Sequence, residues 1–168
     1  MTEFEKYIQR YLDLIPDEDW RQCMSLVGNK TLKIYSELSE EQGNFAYAEG
    51  KWSLKTLLEH LTDCESIFQY RALRFSRGDQ SVLSGFDEEA YATNGIASQL
   101  KVADLMEDFQ LNRLKSLVFF TKLPEQKLKL SGSANGNIID VETIGKLIVG
   151  HNIHHLNIIE ERYLPLLK

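Results

Sequence analysis

Residues 141–165 read VETIGKLIVGHNIHHLNIIEERYLP. Apolar side chains recur in this stretch every three or four positions, which predicts an amphipathic α-helix over residues 141–164 that ends before Pro165. Three of the four histidines of the chain lie in the same helix. What each histidine can do therefore depends on the face of the helix that it occupies.

Two of these histidines are predicted to face inward. At about 100° per residue, His151 and His155 fall within the apolar stripe that holds Ile144 and Ile148, whereas His154 falls at its edge. Burying a polar group without a partner costs about 1–3 kcal/mol, so two adjacent imidazoles in an apolar stripe indicate a specific role. His154 is expected at the edge of a pocket or on the surface.

The rest of the sequence also favours long helices, because its three prolines and seven of its ten glycines fall outside the periodic segments. A short N-terminal helix is predicted over residues 2–13, and three body helices over 17–38, 53–77 and 102–121. Their apolar positions at helical spacing include Trp20, Met24, Leu26, Leu32, Tyr35, Leu105, Met106, Phe109, Leu117 and Val118. With the helix over 141–164 they predict an all-α four-helix bundle, formed by residues 1–168 as a single domain.

Two connections are long enough to have structure of their own. Residues 78–100 form a crossover with a short helical turn expected near 87–92, and long loops inside compact domains often cover sites. Residues 124–139 include SGSANGN, which predicts a small hairpin with its turn at Asn135 and Gly136.

Composition narrows the class of protein. A net charge of -6 and a pI near 5.3 disfavour a nucleic-acid partner, because such binding relies on a basic field. The two cysteines, Cys23 and Cys64, lack CxxC spacing and fit a reducing cytoplasm. No run of about 18 apolar residues occurs, and the N-terminal MTEFEKYIQRYL is regularly charged, so we expect no membrane span, no signal peptide and a cytoplasmic protein.

The fourth histidine supplies a potential third metal ligand. His60 lies on the inward half of the second body helix, on a line with Leu57, Cys64 and Ile67. An i, i+4 pair on one helix and a third histidine on a facing helix can converge on one metal ion and leave a position open. The alternative is that these are hydrogen-bonded core histidines without a metal, and spacing alone does not decide between the two.

Three motifs identify a resemblance to a known family. They are KWSLKTLLEHLTDCESIFQYRALRFSRGD from residue 51, SGFDEEAY from residue 84 and IGKLIVGHNIHHLNIIEERYLP from residue 144. Together they resemble the DinB-like superfamily, also called DinB/YfiT-like, over residues 17–165. The resemblance implies a four-helix bundle that holds one divalent metal ion, zinc or nickel, on His60, His151 and His155.

The resemblance leaves the reaction open. Relatives include thiol S-transferases that use bacillithiol or mycothiol, a mycothiol-dependent isomerase, a glutathione-type transferase and proteins named as metal-dependent hydrolases. We therefore expect a metal-dependent thiol transferase, with a low-molecular-weight thiol as cosubstrate, or a hydrolase, in either case acting on a small molecule. The alternative is a non-enzymatic, stress-related metal-binding bundle, and a homodimer is compatible with the resemblance.

Few other side chains are candidates for the chemistry. Asp63 could orient a ligand, accept a proton or bind a substrate amine, or it could pair with a cation. Arg71 and Arg162 could bind a substrate carboxylate, or they could tie helix ends together. Glu65 points away from His60 on the helical wheel, which favours a structural salt bridge, and Cys64 fits a small core residue better than a fourth ligand.

Two other metal-site patterns are missing from the sequence. Asn152 follows His151, so the HExxH motif of zincin proteases is absent. No ExxH motif of the two-metal ferritin-like bundles occurs either, which predicts a single metal ion.

Overall fold

Three of the four long helices begin where a short polar side chain accepts a hydrogen bond from the first turn. The computed structural model describes residues 1–16 and 19–167. Asp19, Ser53 and Asp140 each accept a hydrogen bond from a backbone N–H two or three residues later, which satisfies a donor that the helix itself cannot. The predicted start of the first body helix at residue 17 lies outside the described residues, and the observed helix begins at Trp20.

The described chain is mainly helical. Its elements are α1 (Glu3–Leu12), α2 (Trp20–Ser36), α3 (Glu40–Gly43), α4 (Leu54–Ser76), α5 (Glu88–Asn94), α6 (Val102–Lys122), α7 (Glu125–Leu128), β1 (Ser131–Ala134), β2 (Asn137–Asp140) and α8 (Val141–Ile158). The long helices α2 and α4 each pack against both α6 and α8, so the four form a closed bundle. The predicted all-α four-helix bundle is confirmed.

Two apolar clusters fill the opposite ends of the bundle. One contains Met24, Phe75 and Phe120, and the other contains Leu58 and Phe109. The first draws on the start of α2 and the ends of α4 and α6, and the second on the opposite ends of the same helices. Between them lies a layer of buried polar side chains, which is the part of the core that apolar packing does not explain.

One half of this polar layer is a buried ion pair. The guanidinium of Arg113 on α6 donates through Nε and Nη2 to the carboxylate of Glu65 on α4, at 2.9 Å for the closest contact of each nitrogen. Its Nη1 donates to the carbonyl of Met24 on α2, and its Nη2 also donates to Oδ1 of Asn152 on α8. The pair therefore connects all four long helices, and the predicted structural salt bridge of Glu65 is confirmed.

The network is closed by neutral groups. Ser116 donates to Oε1 of Glu65 at 2.6 Å, and the amide of Asn152 donates to the hydroxyl of Thr31 at 2.9 Å. Gly28 makes room for the guanidinium, because a Cβ there would lie 2.8 Å from Nη1 of Arg113. A buried charge is tolerated when its partners are all in place, and this layer meets that condition.

The end of α8 differs from the prediction of one continuous α-helix. After Ile158 the backbone forms a π turn over Ile159–Tyr163 and then a 3-10 turn over Leu164–Leu166. A π turn holds more residues than an α turn. The residue that faces the core is therefore one position later in the sequence than regular α-helical spacing predicts. Tyr163 is buried and donates to the carbonyl of Trp52 at 2.8 Å. Regular α-helical spacing predicts Arg162 on the same inward face as His151 and His155, but Arg162 is exposed.

Two residues that helical spacing places among the apolar core positions are exposed. Leu26 is 54% exposed and Val118 is 46% exposed, so neither belongs to the core. Helical spacing alone selected them, but each lies on the outer side of its helix next to the true core stripe.

The expected homodimer is not tested by a single chain and stays a prediction.

The two connections have the predicted local structure. Strands β1 and β2 pair antiparallel with Ser131 opposite Asp140. The turn between them has positive φ at Asn135 and Gly136, which is the geometry that matches the twist of a hairpin. In the crossover the expected helical turn is α5, whose N-cap is Asp87, and Leu83 bonds to the edge of the hairpin at Ser133.

Length and hydropathy decide whether a helix can cross a membrane. Within residues 1–16 and 19–167, no helix is both long enough and apolar enough to cross a lipid bilayer.

The ion pair yields a test of stability. Replacing Arg113→Met should lower the free energy of unfolding by about 3–5 kcal/mol, because it leaves the carboxylate of Glu65 buried without its cation. Urea unfolding followed by circular dichroism measures the change. The matched control is Lys146→Met, which removes a surface pair with Glu142 and should cost about 0.5 kcal/mol or less. Equal losses in the two variants would show that the buried pair does not hold the bundle together.

Candidate metal centre

The other half of the polar layer is a cluster of histidines. His60 comes from α4 and His151 and His155 from successive turns of α8, the two helices that pack most extensively against each other. Nε2 of His151 lies 3.1 Å from Nε2 of His60 and 3.1 Å from Nε2 of His155. His60 and His151 are buried, and His155 is partly buried. The structure thus brings together the three histidines that the sequence analysis selected.

The donor geometry fits a metal ion. In a tetrahedral zinc site, two nitrogens at about 2.0–2.1 Å from the ion lie about 3.3 Å from each other. The two spacings of 3.1 Å are close to that value. In addition, Nδ1 of His155 is buried and has no hydrogen-bond partner among the described residues. Nε2 of His151 carries either one N–H or one lone pair, so it cannot form a linear hydrogen bond with both neighbouring Nε2 atoms at once. A cation shared by the three Nε2 atoms would resolve these contacts.

Burial keeps all three rings in the neutral form. Desolvation lowers the pKa of His60 to about 4 and that of His155 to about 3, with a further contribution from neighbouring imidazoles at His155. The pKa of His151 is also well below its usual range, for the same reasons. Neutral imidazole is the form that binds metals, so the site requires no deprotonation near pH 7.

Two further donors lie beside the histidines. Sγ of Cys64 is 3.6 Å from Nδ1 of His60, and Oε2 of Glu88 on α5 is 3.8 Å from Nε2 of the same ring. Potential ligand atoms from four residues lie within 4.8 Å of one another; the residues are His60, Cys64, Glu88 and His151. Burial and nearby carboxylates raise the pKa of both Cys64 and Glu88.

Glu88 is the residue that the sequence analysis missed. Its motif, SGFDEEAY, was noted and a helical turn was predicted around it, but nothing in the local pattern indicates which of its carboxylates points to the histidines. Only the path of the crossover over α4 brings Glu88 to His60.

The remaining predicted residues are placed around this centre. Asp63 is partly buried, and burial together with Glu59 raises its pKa. His154 lies at the edge, with its ring centroid 5.4 Å from that of Tyr11. Arg162 is exposed and donates to the hydroxyl of Tyr47 at 3.2 Å. The catalytic role of Asp63 and the substrate-binding roles of His154, Arg71 and Arg162 stay predictions.

A cavity of about 360 Å³ opens beside His151. Its apolar walls come from α1, α4, the hairpin and α8, and its polar groups include Cys64, Arg71 and Glu88. The crossover over residues 78–100 contributes Phe86 and Glu88 to the wall. A mainly apolar cavity with a few polar groups is typical of sites for small molecules.

Helix α1 closes one side of the cavity, and Gly150 allows it to do so. A Cβ at this position would lie 2.3 Å from the backbone carbonyl oxygen of Tyr11. The close approach sets the ring of Tyr11 edge-on to His151, with 5.7 Å between the ring centroids. The glycine before His151 is therefore explained by the packing of α1.

Fold and site together define a class: a four-helix bundle whose middle layer holds a cluster of histidines, one of which, His151, lines a cavity. The family model described as the DinB superfamily matches residues 24–159. The chain belongs to this superfamily, as its motifs indicated.

Two individual proteins are similar to the chain. A curated protein from Oceanobacillus iheyensis, named "Putative metal-dependent hydrolase", is 26% identical over 146 residues, which cover 82% of this chain and 80% of that protein. The solved structure of YfiT from Bacillus subtilis aligns with a TM-score of 0.77 and 20% identity over 84% of this chain and 82% of that one. YfiT is described as "a probable metal-dependent hydrolase with an unusual four-helix bundle topology". This similarity confirms the fold.

The close approach of α1 yields a test with a defined sign. Gly→Ala in the middle of a helix normally stabilises a protein by about 0.5–1 kcal/mol. We expect Gly150→Ala to do the opposite and cost about 1–3 kcal/mol, because the new methyl group meets the backbone of Tyr11 rather than a flexible side chain. Urea unfolding measures the difference. A stabilised variant would show that α1 does not pack closely on α8.

Proposed function

We propose that this protein is a mononuclear, metal-dependent hydrolase that acts on a small molecule, with His60, His151 and His155 as the ligands of a divalent ion such as zinc or nickel. The observation that carries the proposal is that Nε2 of His60 and Nε2 of His155 each lie 3.1 Å from Nε2 of His151, and that His151 lines a cavity. Three protein ligands leave a coordination position open, as is typical of catalytic rather than structural zinc. The name of the similar protein from Oceanobacillus iheyensis supports the same class of reaction.

The choice of His155 over Cys64 as third ligand rests on donor type and position. His155 provides an imidazole nitrogen at 3.1 Å from Nε2 of His151. Sγ of Cys64 lies 3.6 Å from Nδ1 and 3.8 Å from Nε2 of His60, so it contacts both nitrogens of that ring. Burial raises the pKa of the thiol, whereas metal binding needs the thiolate. Contacts of this kind commonly fix the orientation of a ligating imidazole. Cys64 therefore acts as a positioning residue for His60 in this proposal.

Hydrolysis also needs a group that moves a proton. A divalent ion in such a site would polarise a carbonyl group and make water more acidic. The carboxylate of Glu88 lies 3.8 Å from Nε2 of His60, and its side chain is 48% exposed, so it reaches both the ligands and the solvent. Glu88 is thus placed to accept a proton from the attacking water and to pass it to the leaving group. Asp63, one turn after His60, is the second carboxylate proposed for the site.

A structural zinc site is normally closed by four ligands, whereas the proposed site requires an open coordination position. The proposal is tested by screening the zinc- and nickel-loaded protein against esters and amides, in parallel with low-molecular-weight thiols and electrophilic acceptors. Metal-dependent cleavage of an ester or amide supports the proposal. Turnover only with a thiol would assign the thiol-transferase reaction instead, and no turnover in any arm would leave a metal-binding bundle.

Metal stoichiometry tests the ligand set. The wild-type protein should bind about one equivalent of zinc, and each of His60→Ala, His151→Ala and His155→Ala should retain less than about a tenth of an equivalent. Elemental analysis after dialysis measures the content. Matched controls are His154→Ala and Cys64→Ala, which should keep the metal. Loss of zinc in Cys64→Ala together with retention in His155→Ala would contradict the three-histidine site.

The role of Glu88 has its own test. Glu88→Gln should lower kcat by about 10²- to 10⁴-fold, because the amide cannot accept a proton, while zinc content stays unchanged. The neighbouring Glu89→Gln serves as the control and should leave kcat close to that of the wild type. If Glu88→Gln loses zinc as well as activity, Glu88 is a ligand and not the proton acceptor.

A further inference from the structure

Arg71 stands out among the arginines because its charge is not paired. It lies on α4 about three helical turns after His60, on the same face, and its side chain lines the cavity. One nitrogen donates to the carbonyl of Ser84 at 3.0 Å, and the guanidinium carbon lies 5.8 Å from the centroid of the Phe86 ring. These contacts use one of five N–H donors, and no carboxylate lies within 4.0 Å of its nitrogens in the described part of the chain.

The other arginines that are buried or partly buried have carboxylate partners. Arg113 pairs with Glu65, Arg74 pairs with Asp79, and Arg21 pairs with Glu125. The protein thus neutralises its arginines where they serve structure. Arg71 is partly buried and desolvation lowers its pKa, yet no carboxylate of the described residues serves as its counter-ion. An anion from outside the chain would complete its environment.

The surroundings of Arg71 indicate what kind of molecule carries the anionic group. Most of the cavity surface is apolar, with Phe4, Phe68 and Leu147 among its walls. Arg71 and Glu88 both line it but form no ion pair with each other, so the cation and the carboxylate remain available to a ligand. Glu88 is engaged at the His60 end, whereas Arg71 is held by Ser84 and Phe86 of the crossover.

We propose that the cavity selects a small, largely apolar molecule with one carboxylate group, which Arg71 binds as a bidentate partner. Guanidinium and carboxylate match in shape and charge, and their hydrogen bonds are about twice as strong as neutral ones. The apolar body fills the cavity, and the other end of the molecule lies toward the histidines. This inference rests on the proposed function only for the reacting end, because binding of the carboxylate does not depend on catalysis.

The experiment measures binding of a matched pair of probes to the zinc-loaded protein by isothermal titration calorimetry. The probes are 4-phenylbutanoate and its neutral amide, 4-phenylbutanamide, which share an apolar body of the same shape. We expect the carboxylate to bind at least about 10-fold more tightly than the amide. This comparison uses the wild-type protein alone, so it does not depend on how any variant folds. Equal affinities would overturn the proposal.

Variants then locate the anion. Arg71→Met should weaken binding of 4-phenylbutanoate at least about 10-fold and leave the affinity for the amide unchanged, and Arg71→Lys should give an intermediate loss, since lysine keeps the charge without the fork. Arg77→Met is the control, because Arg77 is exposed and does not line the cavity, and it should bind both probes like the wild type. An unchanged affinity of Arg71→Met for the carboxylate would overturn the proposal.

A carboxylate could instead bind the metal ion, and a further variant separates that case. In His151→Ala, which is expected to hold no metal, the preference for carboxylate over amide should persist and still depend on Arg71. Loss of the preference in His151→Ala, with its retention in Arg71→Met, would assign the anion to the metal ion and overturn the proposal. Failure of the hydrolase screen with intact Arg71-dependent binding would reject only the proposed reaction.

Discussion

The buried pair of Glu65 and Arg113 is the contact on which the middle of this bundle depends. It ties α4 to α6 directly, and through the carbonyl of Met24 and the amide of Asn152 it also reaches α2 and α8. A buried charge that loses a partner is expensive, so rotation or sliding of any one helix is penalised in a way that apolar side chains alone would not enforce. The two apolar clusters supply most of the burial, and the ion pair specifies the register.

The histidine cluster is organised by the same layer. Asn152 and His151 are neighbours on α8, and their side chains contact different helices. Asn152 bonds to Arg113 on α6 and Thr31 on α2, whereas His151 contacts His60 on α4. The structural half of the polar layer is fully satisfied, whereas the half that faces the cavity has a buried nitrogen of His155 without a partner among the described residues. Incomplete satisfaction of a buried polar group is a cost that proteins accept mainly at functional sites.

Much of the centre could be predicted from the positions of side chains around helices. The angle of each residue on its helix separated His151 and His155 from His154, placed His60 on the inward face and turned Glu65 away from it. These predictions depend only on helix geometry, which is local and nearly constant. They failed at Arg162, because the π turn at the end of α8 changes that geometry within a few residues. They also failed at Leu26 and Val118, because spacing does not distinguish a core stripe from its border.

The sequence by itself determined that the chain forms long amphipathic helices, which residues face the core, and that three histidines share an inward surface. Tertiary structure alone decided that Arg113 is the partner of Glu65, that Glu88 of the crossover lies beside His60, and that α1 packs on Gly150 to close a cavity containing an unpaired Arg71. The physical reason is range. Helix periodicity depends on residues that are close in sequence. Contacts between distant segments depend on the path of the loops, and many different loop sequences can connect the same helices.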